Sequence, residues 1–211
     1  LQDFNVQDLR FWRWSTDEEH VVLYDPNGEI IRVVELGKLD ITTTVDVRYG
    51  DKLDSDRDAV VTCGTTDDGD AIVLDVFNQR TSPQGVVDYL VRVIKRWQPR
   101  AIGIQKVGFE MALKFYLESA CEREGIYANV VPIKPGGSGK PHIRGLQPIA
   151  ATGHLYLLPT QHTLRTELAE YPLGQYDDAA DALALQLQLW RGLLSTGRME
   201  KYKEYETALL R

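Results

Sequence analysis

Between Ile41 and Asn78 lie three runs rich in β-branched and apolar residues: ITTTVDV (41–47), DAVVTCG (58–64) and AIVLDVFN (71–78). The polar segments between them are too short for a crossover helix, so these strands are expected to pair antiparallel, the second link, TTDDGD, forming a hairpin turn. The period then changes. Ser82-Pro83 reads as an N-cap followed by proline at the first helical position. Val86, Val87, Leu90, Ile94 and Trp97 recur at helical spacing up to Pro99. AIGIQ (101–105) reads as a buried strand and GFEMALKFYLESACEREG (108–125) as a helix ended by Gly125. YANVVPI (127–133) reads as a further strand. Strands that alternate with helices pair in parallel and have both faces covered. The expected class is α/β: a mixed sheet of three antiparallel strands followed by parallel ones, flanked by helices.

The flanks are less constrained. HVVLYDPNGEIIRVV is two strand-like runs around Asp-Pro-Asn-Gly, a strong hairpin signal, and marks residues 1–38 as a small β unit. Beyond residue 133, KPGGSGKPH (134–142) is a loop, IRGLQPIAATG a short helix and HLYLL an edge strand. Helices are expected at about 161–171 and 177–194. The domain proper is expected to span 39–195, followed by a charged tail, 196–211. No apolar run is long enough to cross a membrane. The sequence begins LQDFNVQD without methionine, and an excised piece of a longer protein is expected. Cys63 and Cys121 are too few for a disulfide framework or a zinc site and read as reduced core residues.

The net charge of −7 argues mildly against a nucleic-acid partner, but its distribution argues otherwise. From Gly125 to Thr166 there is no acidic residue, while that segment carries Lys134, Lys140, Arg144, Arg165 and three of the four histidines. Acids concentrate elsewhere, as at Asp46, Asp51, Asp54, Asp56 and Asp58.

The other concentration is GQYDDAADALAL, with Asp177, Asp178 and Asp181 at the head of an Ala/Leu-rich helix. Capping and the helix dipole account for one or two of them. Three like charges at i, i+3 and i+4 spacing repel, which a neighbouring cation would relieve. Asp46 interrupts a β-branched strand near its end, where α/β proteins place reactive groups; bonding to the following turn is the alternative. Gln105 ends AIGIQ. In a parallel neighbour of the Asp46 strand it sits level with that carboxylate, either as a neutral strand-end residue or as an amide ligand that brings no charge. DKLDSDRDA lacks the glycine and distal glutamate of a calcium loop. PGGSGKP is not a phosphate loop, because the first glycine of that pattern falls on Lys134. No GxSxG-type signature supports a serine triad.

In combination these pieces resemble a known family. The order of elements is that of RNase H-like nucleases. VVDYLVRVIKRWQPRAIGIQKVGFEMAL, the IKP with IRGLQPIAATGHLYLLP, and YDDAADALAL are similar to the C-terminal nuclease domain of tailed-bacteriophage terminase large subunits, from about Ile41 to Trp190. The resemblance implies a metal-dependent endonuclease that cuts concatemeric double-stranded DNA in the host cytoplasm during packaging. Its partners would be a preceding ATPase motor domain, a portal and a small terminase subunit; with no Walker motif here, this chain should not hydrolyse ATP. It implies Asp46, Asp177 and Asp178 as catalytic metal ligands with Asp181 close by, and a middle carboxylate at position 105. Gln105 leaves two readings open, a silenced nuclease or one that holds its metals more weakly, with Glu110 as a substitute ligand. Two Mg²⁺ or Mn²⁺ ions about 4 Å apart, held by hard oxygen ligands, suit phosphodiester hydrolysis. Lys134, Lys140, His142 and Arg144 are then the candidate phosphate contacts. Another RNase H-like enzyme (a resolvase or transposase core) and a non-catalytic DNA-binding assembly module are the alternatives.

Overall fold

The structure, a computed structural model, describes residues 3–47, 57–105, 110–134 and 141–190, with the side chains of Glu110, Pro141 and His142 excepted. The three central runs form β4 (Asp40–Asp46), β5 (Asp58–Thr65) and β6 (Ala71–Gln79), an antiparallel meander as expected. After α1 (Pro83–Trp97), β7 (Ala101–Gln105) adds parallel to β4. After α2 (Glu110–Glu124), β8 (Val130–Ile133) adds parallel to β7. Ser82 caps α1 by accepting from the Gly85 N–H, with proline at the first position, as its sequence indicates.

The N-terminal residues build β1 (Arg10–Trp14), β2 (His20–Tyr24) and β3 (Ile30–Glu35). The β2–β3 turn is held by Asp25, whose carboxylate accepts from the Asn27 and Glu29 N–H groups, while Gly28 takes φ +87°. HLYLL becomes β9 (Leu155–Leu157), which is no edge strand: it pairs in parallel with β6 on one side and β1 on the other. Among the described residues the result is one nine-stranded mixed sheet, β3-β2-β1-β9-β6-β5-β4-β7-β8. The expectation failed there because three apolar residues carry no periodicity that tells an edge strand from a buried one.

Alternation along β4 and β5 divides the core. Val45, Val60, Ile102 and Ile104 point to the side covered by α1 and α2. Ala59, Val61, Cys63 and Val73 point to the opposite side. That side is covered by α3 (Pro141–Arg144), α4 (Gln147–Ala151), α5 (His162–Glu170) and α6 (Asp178–Leu185). IRGLQPIAATG is thus two short helices, and the last helix stops at Leu185 and tightens into a 3₁₀ turn, Gln186–Gln188. Both cysteines are buried and unpaired, as expected of core residues.

Candidate active site

The position of α6 follows from a polar ladder. Thr42, Thr44 and Asp46 alternate with Val45 and therefore face α6. The Thr42 hydroxyl donates to Gln186 Oε1 at 2.6 Å, and the Thr44 hydroxyl donates to the Ala182 carbonyl at 2.6 Å. Gln186 in turn donates to the main-chain oxygens of Thr42 (3.1 Å) and Val61 (2.8 Å). Two residues of strand advance about 6.6 Å and four residues of helix about 6 Å, so the rungs stay in step. The same step carried one rung further falls on Asp46 of the strand and Asp178 of the helix. Both are buried, at 5% and 4% exposure. The small side chains Ala179, Ala180, Ala182 and Ala184, all buried, are what let the helix lie this close to the sheet.

Gln105 belongs to the same corner. Val45 is level with Ile104 in the parallel β4–β7 pair, so the register brings Gln105 beside Asp46. A Cβ on Gly103, two residues earlier, would meet Ile133 and Leu189, on the α6 side of the sheet. Asn78 and Ala59 complete the row, paired to each other as Ala59 is to Asp46. Lys134 is exposed and follows Ile133, the residue level with Gln105, so it stands at the same end of the sheet. Arg144, by contrast, is engaged: its Nε donates to Asp3 Oδ2 at 2.7 Å. Lys140 lies outside the described residues, as do Asp51, Asp54 and Asp56, and the side chains of His142 and Glu110 are likewise outside them.

The three aspartates of α6 separate by face. Asp177 is the N-cap residue yet makes no side-chain capping bond. Asp177 and Asp181, four apart, both bear electrostatically on Tyr171, whose hydroxyl is pushed up to about 12 chiefly by burial. Asp178 lies one turn before Ala182, on the ladder face. The capping role falls instead to Glu167 of α5, whose Oε2 accepts from the Ala180 N–H at 2.9 Å while Oε1 accepts from Asn78 Nδ2 at 2.7 Å. Burial raises the pKa of Glu167, and the negative charge of Asp178 raises it further. Asp58, at the start of β5, is pushed up to about 6 by burial and by Asp178, against the Thr81 N–H that it accepts. The Arg57 guanidinium, 4.8 Å from the centre of the Tyr176 ring, ties the residue before Asp177 to this end of β5.

Glu167 and Asp58 were assigned no role from sequence. Glu167 had a signal, since it breaks the acid-free stretch and lies on the helical face of Leu164 and Leu168.

Among the described residues no group of three or more His, Cys, Asp or Glu side chains is arranged to hold a metal ion. The donors at this corner are nevertheless all oxygens: the buried carboxylates of Asp46 and Asp178 and the Gln105 amide. The repulsion that Asp178 exerts on Asp58 and Glu167 is of the kind a cation offsets. The donor set fits a hard divalent ion with fewer protein carboxylates than full chelation takes.

This sheet, with helices on both faces and an acidic corner where β4 ends and α6 begins, is the RNase H-like fold. The chain has the fold of phage large terminase nuclease domains in particular. It superposes on the large terminase nuclease from thermophilic phage G20c with a TM-score of 0.58 and 17% identity, over 90% of this chain and 99% of that one. The Thermus phage P74-26 large terminase nuclease domain gives 0.54 and 16%, over 88% and 93%. The HK97 bacteriophage large terminase gives 0.53 and 12%, over 72% of this chain and 40% of that longer one. Structures of the G20c nuclease with bound zinc, magnesium and cobalt match at 0.54, 0.53 and 0.54. No protein-family model and no curated protein matches the sequence.

Proposed function

We propose that this chain is a divalent-metal-dependent DNA endonuclease, the nuclease part of a phage packaging terminase that cuts concatemeric double-stranded DNA. The observation that supports this most directly is the pair of rungs Thr42–Gln186 and Thr44–Ala182, whose spacing carried one step further leads to Asp46 and Asp178, with Gln105 in register beside Asp46. The likeness to terminase nucleases, one of them with magnesium bound, supports it from outside the chain. On this reading the protein works in the host cytoplasm, fed with DNA by an ATPase motor domain of the same polypeptide, with portal and small terminase subunit as partners. Among the described residues no helix is long and apolar enough to cross a membrane.

Asp46 and Asp178 would hold the metal, Mg²⁺ or Mn²⁺, with the Gln105 amide oxygen as a neutral third ligand and Asp177 flanking. Held there, such an ion would supply an activated water and stabilisation of the charge that develops on the attacked phosphate. Asp46 and Asp178 keep their relation because strand and helix are bonded to each other two rungs deep. Lys134 contacts the DNA backbone as it crosses the sheet end. Gln105 supplies orientation without charge, so the chain holds its metal weakly and cleaves slowly.

Plasmid digestion in Mn²⁺ and Mg²⁺ tests this. Gln105→Glu should raise nicking and double-strand cleavage by about a hundredfold, the scale of one charge-stabilising group. Asp178→Asn should abolish both. If Gln105→Glu stays as inactive as the parent while binding metal and DNA, position 105 is not a ligand; Glu110 is then the next candidate and the non-catalytic reading gains.

A further inference from the structure

We infer that Glu167, held by Asn78, is a positioning residue for this site: it caps α6 from outside the helix and thereby keeps Asp178 on the rung opposite Asp46. The inference rests on the metal-site reading above and extends it to α5 and β6.

The first turn of a helix exposes N–H groups that need acceptors, and an aspartate at the N-cap is the ordinary source of one. In α6 that residue is Asp177, and it makes no such bond. The N–H of Ala180 goes to Glu167 Oε2, and the Ala179 N–H also bears on this carboxylate. Glu167 is 4% exposed and has a second fixed partner, Asn78 Nδ2. Asn78 lies on β6 in the row that runs through Ala59 to Asp46. The helix start is thus referenced to the strand ends that carry the other ligands rather than to its own loop.

The arrangement has a cost that points the same way. A buried glutamate beside Asp178 is repelled by it. A serine or asparagine in the preceding loop could cap the same N–H groups without that repulsion. What the distant glutamate adds is a fixed distance from sheet to helix start. Residues that orient metal ligands in this way typically change metal affinity by about 10- to 100-fold when removed.

The experiment titrates Mn²⁺ into the metal-free chain and reads unbound Mn²⁺ by electron paramagnetic resonance, without reference to cleavage. Glu167→Ala should weaken Mn²⁺ binding by about tenfold or more. Glu167→Gln keeps an acceptor for the Ala180 N–H, and its amide can pair with Asn78 Oδ1, a buried atom with no hydrogen-bond partner among the described residues. It should therefore retain affinity within about threefold, which a tenfold loss would exceed clearly. Leu23→Ala, in a fully buried position on β2, serves as a control for destabilisation alone and should leave affinity unchanged.

Equal binding by Glu167→Ala and the parent overturns the inference and leaves the metal reading standing. A loss in Glu167→Gln as large as in Glu167→Ala also overturns it, because Glu167 would then act through its charge. No Mn²⁺ binding by the parent chain overturns the metal reading and this inference together.

Discussion

Replacing Gln186 with leucine tests the ladder that seats α6. The side chain is fully buried, donates to two main-chain oxygens and accepts from the Thr42 hydroxyl. Leucine fills a similar space but offers none of these bonds. Three hydrogen bonds at about 1 kcal/mol each, with a further penalty for the Thr42 hydroxyl left without its acceptor, total about 3–4 kcal/mol. For a chain of this size each kcal/mol moves the melting midpoint by roughly 2–4 °C, so the midpoint should fall by about 6–16 °C. Adding Thr42→Val removes the orphaned hydroxyl, and the double variant should recover about 1 kcal/mol relative to the sum of the singles. Thermal unfolding of metal-free protein, followed by circular dichroism near neutral pH, measures all four species. An unchanged midpoint in Gln186→Leu, or strict additivity in the double variant, would refute the claim that these bonds dock the helix.

Gly103→Ala should destabilise by about 1–3 kcal/mol, since the new methyl would overlap Ile133 Cδ1, and Ile133→Val should restore part of it in the same thermal melts. Asp58, pushed up to about 6 in the folded chain, binds a proton there more tightly than it does unfolded. Its ionised form therefore opposes folding above that pH, and the opposition fades as pH falls through 6 toward the ordinary carboxylate range. Asp58→Asn should raise the melting midpoint at about pH 8 and lose that gain by about pH 4; a gain independent of pH refutes the assignment. In filter binding at several salt concentrations, Lys134→Ala should flatten the salt dependence of DNA affinity by about one ion. Arg144→Ala should change it less, because that guanidinium is bonded to Asp3. Equal slopes would remove Lys134 from the interface.

The meander β4–β6 and the βαβ-like run through β8 were legible because each strand is long enough for its pattern to show and each link is too short for an alternative. β1 was missed: RFWRW mixes arginine with aromatics, and it is a strand because Trp12 is buried and donates to the Val73 carbonyl far along the chain. Asp46 and Asp178 stood out because a carboxylate in a β-branched run, or doubled ahead of an alanine-rich helix, conflicts with its surroundings. The separation of Asp178 from Asp177 and Asp181 did not, since it depends on how α6 is rotated against β4. Glu167 stayed hidden for a related reason: its role lies in partners on β6 and α6, and no local spacing encodes a cap donated from another helix.

The strand β9 has a consequence for the order in which the molecule assembles. Among the described residues the β1–β3 meander pairs with the rest of the sheet through β9, so Arg10 and Phe11 find their strand partners in Tyr156 and Leu157, far along the chain. Contacts of such sequence separation form late, because loop-closure entropy must be met before they contribute. As the chain leaves the ribosome, the β1–β3 meander emerges well before the strand that receives it. Until then Trp12, Val21 and Leu23, all fully buried in the finished protein, have Ile72, Leu74, Val93 and Trp97 of their cluster to pack on but lack Tyr156. The β1–β3 meander is therefore among the last parts of this sheet to be secured, and a chain stalled before Leu155 holds it by side-chain packing alone, without the backbone ladder that β9 provides.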